Sequence, residues 1–323
     1  MIDLHAGDMV LKALLDALAT AYAAPMKRTE GKIRAFLKPL LDALQPRKSE
    51  SKTAYKRRLM IAFSGAKWSK VRDEIAADFA EAGADFTERV NDALEQAFAD
   101  GLNDQAYSLH KDGAETWPIT AGIVTALVNA GVIVLNRRRV KKRESQRYNR
   151  QRTQSAVMGV IARNVKVEDM PKEVSRHIAN ARQNEMSVYM RIAIYGASDY
   201  GAYMAGIEAE ELGIDTEKSW LSIMDLRVRL SHSWLHGTTI QIHEKFHGLH
   251  GDLMYPHDPN APLQEICNWR CRMVVHLAGK APKTSRRLIL PFEMLDYLKW
   301  RQEQIRKAGG ELELEKLHKR LMR

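Results

Sequence analysis

The stretch from Lys218 to Met273 constrains this chain more than any other, because residue types that are costly or chemically committed are concentrated in it. It contains both cysteines, six of the eleven histidines and three of the six tryptophans of a 323-residue chain. Such residues gather where a fold requires a particular geometry. We therefore expect one specialised module here, with the rest of the chain built around it.

The apolar periodicity changes inside this stretch. Thr238 to Ile242 alternates and is β-branched, which predicts a strand, and Lys218 to Ser222 is a candidate for another. Met273 to Leu277 is a short apolar run, typical of a strand or of the end of a helix. These segments, separated by glycine turns, predict a small α+β module.

Helical periodicity dominates the remainder of the chain. Residues 8 to 45 indicate two amphipathic helices, and later apolar stripes end at Gly83 and Gly101. The fold class that we predict is α+β, predominantly α. Four regions follow from the pattern: a helical N-terminal region at 1–116, a helical middle region at 117–217, the α+β module at 218–280, and a C-terminal helical tail at 281–323.

A formal net charge of +10 and a pI near 9.5 favour a polyanionic partner. The excess is densest from Arg137 to Arg152, where nine of sixteen residues are basic and one is acidic. We expect phosphate contacts from Arg137, Arg138, Arg139, Lys141, Lys142, Arg143, Arg147, Arg150 and Arg152. A solvated charge run and a localisation signal are the alternatives.

Neither a membrane nor a disulfide framework is expected. The uncharged stretch from Ile119 to Leu135 has 17 residues, fewer than the ~20 that a span requires, so a buried helix is predicted. Acidic residues near the N-terminus argue against a signal peptide. Two cysteines in a chain of this length indicate a reducing compartment.

The motifs of the stretch follow one another in a recognisable order: a Lys-x-Trp start, an Asp followed by Val-Arg and Ser-His, a glycine, a proline-containing loop and an Arg-Cys ending. They lie at Lys218, Trp220, Asp225, Val228, Arg229, Ser231, His232, Gly237, Pro256, Asn268, Arg270 and Cys271. In this order they resemble the phage Mu F-like minor head protein family, also called head morphogenesis proteins. The chain departs from the family's Asn-Cys-Arg-Cys ending at Trp269, and Cys267 lies two residues earlier.

The resemblance covers about a third of the chain and implies a structural protein of the virion. Such a protein lies inside the phage head after passing through the host cytoplasm during assembly. It acts in head morphogenesis near the portal, with portal or coat proteins and packaged DNA as partners. No small-molecule substrate and no cofactor are implied.

Three chemical interpretations of the motif residues stay open. The histidines and cysteines could bind zinc, although the stretch has no Cys-x-x-Cys pair and no metal site is predicted. His232 with Asp225 could serve a nuclease or another hydrolase. We prefer a structural role, in which Asp225 pairs with Arg227 or Arg229 and Arg270 fixes the proline loop. A cellular DNA-binding protein is a further alternative.

Overall fold

The computed structural model describes residues 7–138, 142–222, 228–266, 271–280 and 294–322. Helix makes up 68% of the chain, and the strands form one small sheet and one short ribbon. The predicted class, α+β and predominantly α, is therefore confirmed. The helices are α1 (Asp8–Leu37), α2 (Leu41–Leu44), α3 (Lys52–Ala62), α4 (Ala66–Lys111), α5 (Ala121–Asn129), α6 (Lys142–Ala162), α7 (Met170–Glu211), α8 (Leu230–Leu235), α9 (Leu263–Ile266), α10 (Met294–Lys307) and α11 (Glu311–Leu321).

The strands lie between α7 and α10 in the chain. They are β1 (Thr216–Leu221), β2 (Thr239–Gln241), β3 (Phe246–His247), β4 (Asp252–Leu253) and β5 (Arg272–Leu277). The sheet has the order β2-β1-β5 with antiparallel pairing throughout, and β3 pairs with β4. All three segments that the sequence pattern marked, at 218–222, 238–242 and 273–277, contain strands.

Contacts divide the chain into two compact units, each built from separate segments. Unit 1 comprises Met1–Leu14, Val90–Arg137 and Val188–Arg323, and unit 2 comprises Leu15–Arg89 and Arg138–Ser187. The units follow contacts in space, whereas the four regions predicted from the sequence are contiguous. Those four regions stay a prediction about how the chain is organised in domains.

The long helices are more continuous than predicted. Residues 8–37 form a single helix, and α4 passes through both Gly83 and Gly101, where helix ends were predicted. The reason lies in packing: a Cβ on Gly83 would lie 2.6 Å from the Arg182 guanidinium, and one on Gly101 would lie 1.9 Å from the Ser198 carbonyl oxygen. These glycines permit close approach inside a helix and do not end it.

The uncharged stretch before the basic segment contains only the nine-residue helix α5, with Ile123, Val124 and Leu127 buried. The predicted buried helix is thus confirmed, although it starts after Pro118 and is capped by the Thr120 hydroxyl, which accepts from the Ile123 N–H. The stretch Asp8–Leu44 is long and apolar enough to cross a membrane by length and composition, a property that core helices also have.

Unit 2 is held by an aromatic cluster and by polar bridges. The rings of Phe36, Phe63 and Trp68 lie 4.8 to 5.4 Å apart. The Trp68 indole donates to the Gln154 side chain, whose amide donates to the Phe63 carbonyl. The cluster thereby fixes α6 against the start of α4.

Unit 1 contains the sheet and a core built around Trp220. Helix α7 packs against this sheet: a Cβ on Gly206 would lie 3.1 Å from the Val275 side chain of β5 and 2.6 Å from Ile242, the residue after β2. On the β5 edge, the buried Gln105 of α4 accepts from the Val275 N–H at 3.0 Å. A buried strand edge without such a partner would leave backbone donors unsatisfied.

The C-terminal helix α11 docks on its own chain. Leu314, His318 and Leu321 are buried, and His318 lies between two acceptors of unit 1. Its Nδ1 contacts the Glu208 carboxylate, and its Nε2 donates to the Pro118 carbonyl oxygen at 3.0 Å.

We predict that alkaline pH loosens α11. Burial lowers the pKa of His318, but Glu208 and the Pro118 carbonyl outweigh burial, and the net shift is upward. A group with a raised folded-state pKa contributes stability that is complete below the unfolded value of about 6.5 and is lost as pH rises through the folded value, at up to ~1.4 kcal/mol per pH unit. Hydrogen-exchange protection of α11 should therefore fall as pH rises in that window.

The matched control for this prediction is His318→Gln, which keeps a polar side chain but cannot titrate. Its α11 protection should be lower than in the wild type at pH 6 and independent of pH in the same window, once intrinsic exchange rates are divided out. Parallel pH profiles for the two proteins would contradict the assignment of the effect to His318.

Candidate functional site: a buried hydrogen-bonded cluster

The candidate site is a polar cluster buried beside the sheet, which we call the His232 cluster: Trp220, Ser222, His232, Glu265 and Cys271. Strand β1 supplies Trp220 and ends next to Ser222, α8 supplies His232, α9 supplies Glu265, and Cys271 precedes β5. The cluster joins four sequence-distant segments, and every member is buried.

His232 is at the centre of the cluster. Its Nε2 lies 3.0 Å from Glu265 Oε2 and its Nδ1 lies 3.2 Å from Cys271 Sγ. The second oxygen of Glu265 accepts from the His250 backbone N–H at 2.6 Å. With a neutral ring, Nε2–H donates to Glu265 while Nδ1 accepts from the Cys271 thiol, and each polar atom has a partner.

Ser222 links the histidine to the sheet. Its hydroxyl donates to the His232 carbonyl oxygen at 2.7 Å and accepts from the Trp220 indole N–H at 3.1 Å. Its backbone N–H donates to His236 Nδ1 at 3.0 Å. The Trp220 ring meets His232 and Phe246 edge-on at 5.3 and 5.1 Å. A polar network of this kind, once fully satisfied, specifies a single arrangement of its segments.

The electrostatics of the cluster indicate an uncharged histidine. Burial lowers the pKa of His232 to about 3, and the charges of Arg229 and His257 act in the same direction. A base with such a pKa takes up protons poorly near neutral pH. Cys271, Glu265 and His232 are connected like a nucleophile, an acid and a base, but this environment does not favour a thiolate–imidazolium pair.

The central side chains of the cluster have little exposed surface: His232 is 1% and Cys271 is 4% exposed. A cavity of about 40 Å³ lies nearby and is lined by Tyr200, Tyr255, His257 and Ile266 among others, but neither His232 nor Cys271 lines it. That volume suits a water molecule or two and excludes a substrate. Within the described ranges, no group of three or more His, Cys, Asp and Glu side chains could hold a metal ion.

Lys218 is a second buried polar residue on β1. Its ammonium donates to the Met254 carbonyl oxygen at 2.8 Å and lies over the rings of Tyr203 and Phe246 at 5.1 and 5.4 Å. Burial lowers the pKa of Lys218 to about 7, partly offset by Asp258 and Glu244. Because its side chain is enclosed, the contact ties the loop after β4 to the central strand.

That loop is fixed from its other side by an imidazole–carboxylate pair. His257 Nδ1 lies 2.9 Å from Asp199 Oδ2, and both residues are buried. Asp258 accepts from the backbone N–H groups of Met254 and Asn260. A Cβ on Gly196 would lie 3.1 Å from the His257 carbonyl oxygen, so this glycine of α7 packs on the loop. Gly201 of the same helix packs on α4.

The structure brings together four of the motif residues predicted from the sequence: Lys218, Trp220, His232 and Cys271. Arg229 donates to the Gln264 carbonyl oxygen and so connects the start of α8 with α9. Gly237 has a positive φ and donates to the Trp220 carbonyl, Ser231 is half-buried, and Pro256 is buried. Asp225, Arg227, Asn268 and Arg270 lie outside the described residues, as does the predicted carboxylate–guanidinium pairing.

Sequence reasoning missed Glu265 and Ser222. The sequence around Glu265 is LQEIC, a carboxylate with apolar neighbours. This local pattern does not identify Glu265 as a member of a buried cluster. Its role becomes evident only when α9 lies beside α8 in space. His232 and His236, spaced i, i+4, contact different partners, and His243 contacts Glu210.

The predicted phosphate-binding segment is divided by the fold. Arg137 belongs to unit 1 and pairs with Glu95, whereas α6 belongs to unit 2. Arg150 pairs with Asp73 at 3.1 Å and Arg152 donates to the Tyr148 hydroxyl, yet both remain exposed, as does Arg147. Arg138 is exposed, Lys142 and Arg143 lie in the first turn of α6, and Arg139 and Lys141 lie outside the described residues.

Comparison of the chain with known protein families, with curated proteins and with solved structures gives no match.

Proposed function

We propose that this chain is a minor structural protein of a phage head, acting in head morphogenesis near the portal. The observation that carries the proposal is the burial of the motif residues around β1: Trp220, His232 and Cys271 meet in one network, and Lys218 on the same strand holds the loop after β4. Lys218, Trp220, His232 and Cys271 are at most 4% exposed, and they join β1, α8, the loop after β4 and β5. The motif that resembles the minor head proteins thus serves as the core of a rigid module.

A scaffold explains this arrangement better than an enzyme does. The neutral His232 is 1% exposed, and its pKa of about 3 suits a hydrogen-bonding partner. The nuclease alternative with His232 and Asp225 has no supporting observation, since Asp225 lies outside the described residues. We therefore propose that the module presents a fixed surface to portal or coat subunits.

Contact with packaged DNA is the second part of the proposal. The exposed arginines of α6 support it: Arg147 and Arg152 lie at the surface, and so does Arg150, although Arg150 pairs with Asp73. Arg137 contributes less, since its guanidinium already contacts Glu95. In this proposal, unit 1 of the chain provides the rigid module and unit 2 provides the basic helix α6.

The direct test is the composition of particles made by cells that carry the gene. Mass spectrometry of purified heads should find the protein at a few copies per particle, bound to the portal after mild disassembly. Detection only in the unassembled fraction would overturn the proposal. Incubating the purified protein with DNA and RNA, with and without divalent metal, should give no cleavage; cleavage that His232→Ala abolishes would establish the enzyme instead.

A further inference from the structure

The net positive charge of the chain lies entirely in unit 2. That unit has 28 lysines and arginines against 15 aspartates and glutamates, a formal net charge of +13. Unit 1 has 22 against 25, a net charge of −3. Because the excess is concentrated in one unit, its field is stronger than a uniformly basic surface would give.

Within unit 2, two contacting helices hold much of this excess. Helix α3 has four basic residues and no acidic one, and α6 has five basic residues and only Glu144 as an acid. The Lys56 ammonium donates to the Ala162 carbonyl oxygen at 2.8 Å, which joins α3 to the C-terminal end of α6. Lys52 and Arg57 of α3 are exposed beside this contact.

The first turns of α4 run antiparallel to α6. Trp68 hydrogen-bonds to Gln154, and Asp73 pairs with Arg150. Residue numbers therefore rise along α4 in the direction in which they fall along α6. Lys67 and Lys70 are exposed at i, i+3 on these turns of α4, alongside the middle of α6. Basic residues from two distant stretches of sequence therefore lie next to one another.

We infer that these side chains form one phosphate-binding surface for duplex DNA, which we call the basic surface: Lys52, Arg57, Lys67, Lys70, Arg147 and Arg150. The inference rests on the DNA contact in the proposed function and extends it to residues 52–70, outside the basic segment at 137–152. Two acidic residues of α4 lie beside this surface: Asp73, which pairs with Arg72 and Arg150, and the exposed Glu74, one turn from Lys70.

The chemistry of the surface favours a duplex over a single strand. Binding of a single strand relies on exposed aromatic rings that stack on bases. Trp68 is 1% exposed, and the Tyr148 ring is covered by the guanidinium groups of Arg152 and Arg182 at 5.0 and 5.3 Å. The half-buried Tyr55 ring of α3 is covered by the Arg58 guanidinium at 5.5 Å. The surface therefore offers charge without stacking, which suits the phosphates of a duplex and makes recognition independent of sequence.

The length of the surface fits the same partner. Helix α6 has 21 residues, or about 30 Å at 1.5 Å per residue, which approaches one turn of B-form DNA at about 34 Å. Its basic residues all lie in the first half, at 142–152, and the Lys56 contact joins α3 to the opposite end of α6. Charges of the two helices together therefore extend along a length that suits a continuous line of phosphates. A protein interface, in contrast, has an apolar centre that is depleted of charge.

Three charge-neutralised variants of the full chain test the inference. Variant A replaces Lys52, Arg57, Lys67 and Lys70 by Gln and leaves the basic segment intact. Variant B replaces Lys142, Arg143, Arg147 and Arg150 by Gln. Variant C, the control, replaces four exposed lysines of unit 1 by Gln: Lys245, Lys299, Lys307 and Lys316. All three variants remove the same amount of charge.

Binding to a fluorescent duplex should be measured between about 50 and 200 mM salt. We expect variants A and B each to bind at least about tenfold more weakly at the lower salt. The slope of log K against log salt should fall by roughly one for each phosphate that the variant no longer binds. Variant C should keep the wild-type slope. Unfolding midpoints equal to that of the wild type will show that the variants fold.

The outcomes separate the two proposals. If only variant B binds more weakly, the inference is overturned while DNA contact through the basic segment stands. If neither A nor B changes the slope, both are overturned. Equal loss of DNA affinity in variants A, B and C would also overturn the inference, because net charge alone would then govern binding. Tighter binding to a single strand of equal length, or to an acidic protein, would overturn the duplex as partner.

Discussion

Gly101→Ala should destabilise unit 1 by about 3 kcal/mol or more, at the upper end of overpacking penalties. The new Cβ would lie 1.9 Å from the Ser198 carbonyl oxygen and 2.7 Å from its carbon. These are backbone atoms of α7, so no side-chain rotation can relieve the overlap. The two helices would have to separate, and the packing on both sides of the crossing would be disrupted.

Gly201 makes the reciprocal contact, since its added Cβ would lie 2.1 Å from the Phe98 carbonyl oxygen. Gly201→Ala should therefore cost a similar amount, and the double variant should cost less than the sum because the helices separate only once. Urea unfolding with hydrogen exchange of α4 and α7 amides measures the effect.

Helix α6 provides the matched control for these substitutions. A Cβ on Gly159 would meet nothing within 4 Å, so Gly159→Ala should stabilise the protein by up to about 1 kcal/mol through helix propensity. Equal effects at Gly101 and Gly159 would contradict the close approach of α4 and α7.

Glu265→Ala should destabilise unit 1 by about 3 kcal/mol, the size expected when one partner of a buried polar pair is removed. The substitution leaves the His232 Nε2–H and the His250 N–H without an acceptor, and it opens a cavity next to His232. In a double-mutant cycle, Glu265→Ala and His232→Ala should show a coupling of about 1 to 3 kcal/mol.

The exposed pair His247–Asp252 provides the control for this cycle. Its Nδ1–Oδ1 distance of 2.9 Å is close to that of the buried pair, but its side chains are 84% and 50% exposed. Its coupling should stay below about 1 kcal/mol because water screens the pair and solvates each partner when it is alone. Similar coupling free energies at the two sites would show that burial does not strengthen the His232–Glu265 interaction.

The same cluster should make the protein sensitive to acid. The folded-state pKa of His232, about 3, lies below its unfolded value. Between about pH 6.5 and pH 3, the histidine is protonated in the unfolded chain and neutral in the folded chain. The free energy of unfolding therefore declines by up to ~1.4 kcal/mol for each pH unit below about 6.5. In His232→Gln this contribution to the slope should be absent. The sign is opposite to that of His318, whose stabilising effect disappears as pH rises.

Local patterns in the sequence were sufficient for three strands of the module, whereas β3, β4, α8 and α9 were not predicted. β-branched alternation and short apolar runs identified β1, β2 and β5, because a period of two follows from strand geometry alone. The helix ends at Gly83 and Gly101 were wrong for a physical reason: a glycine that ends a helix and a glycine that lets two helices touch look the same in one sequence. Only the neighbour, Ser198 or Arg182, distinguishes them.

The candidate site was partly predictable. The density of histidine, cysteine and tryptophan pointed to the right stretch, and His232 and Cys271 do meet in space. Glu265 was missed because it lies 33 residues from His232, and its burial depends on how α9 packs. No local pattern encodes that distance.

What the sequence by itself determined is the helical class, the position of the α+β module and the total charge, since each depends on local periodicity or on a count. What only the tertiary structure decided is which sequence-distant residues lie close together in space. It assembled the His232 cluster from four segments, and it put the whole positive excess into unit 2 by folding residues 15–89 with residues 138–187. Composition is additive along the chain, whereas burial and electric field depend on distances in space, which only the fold sets.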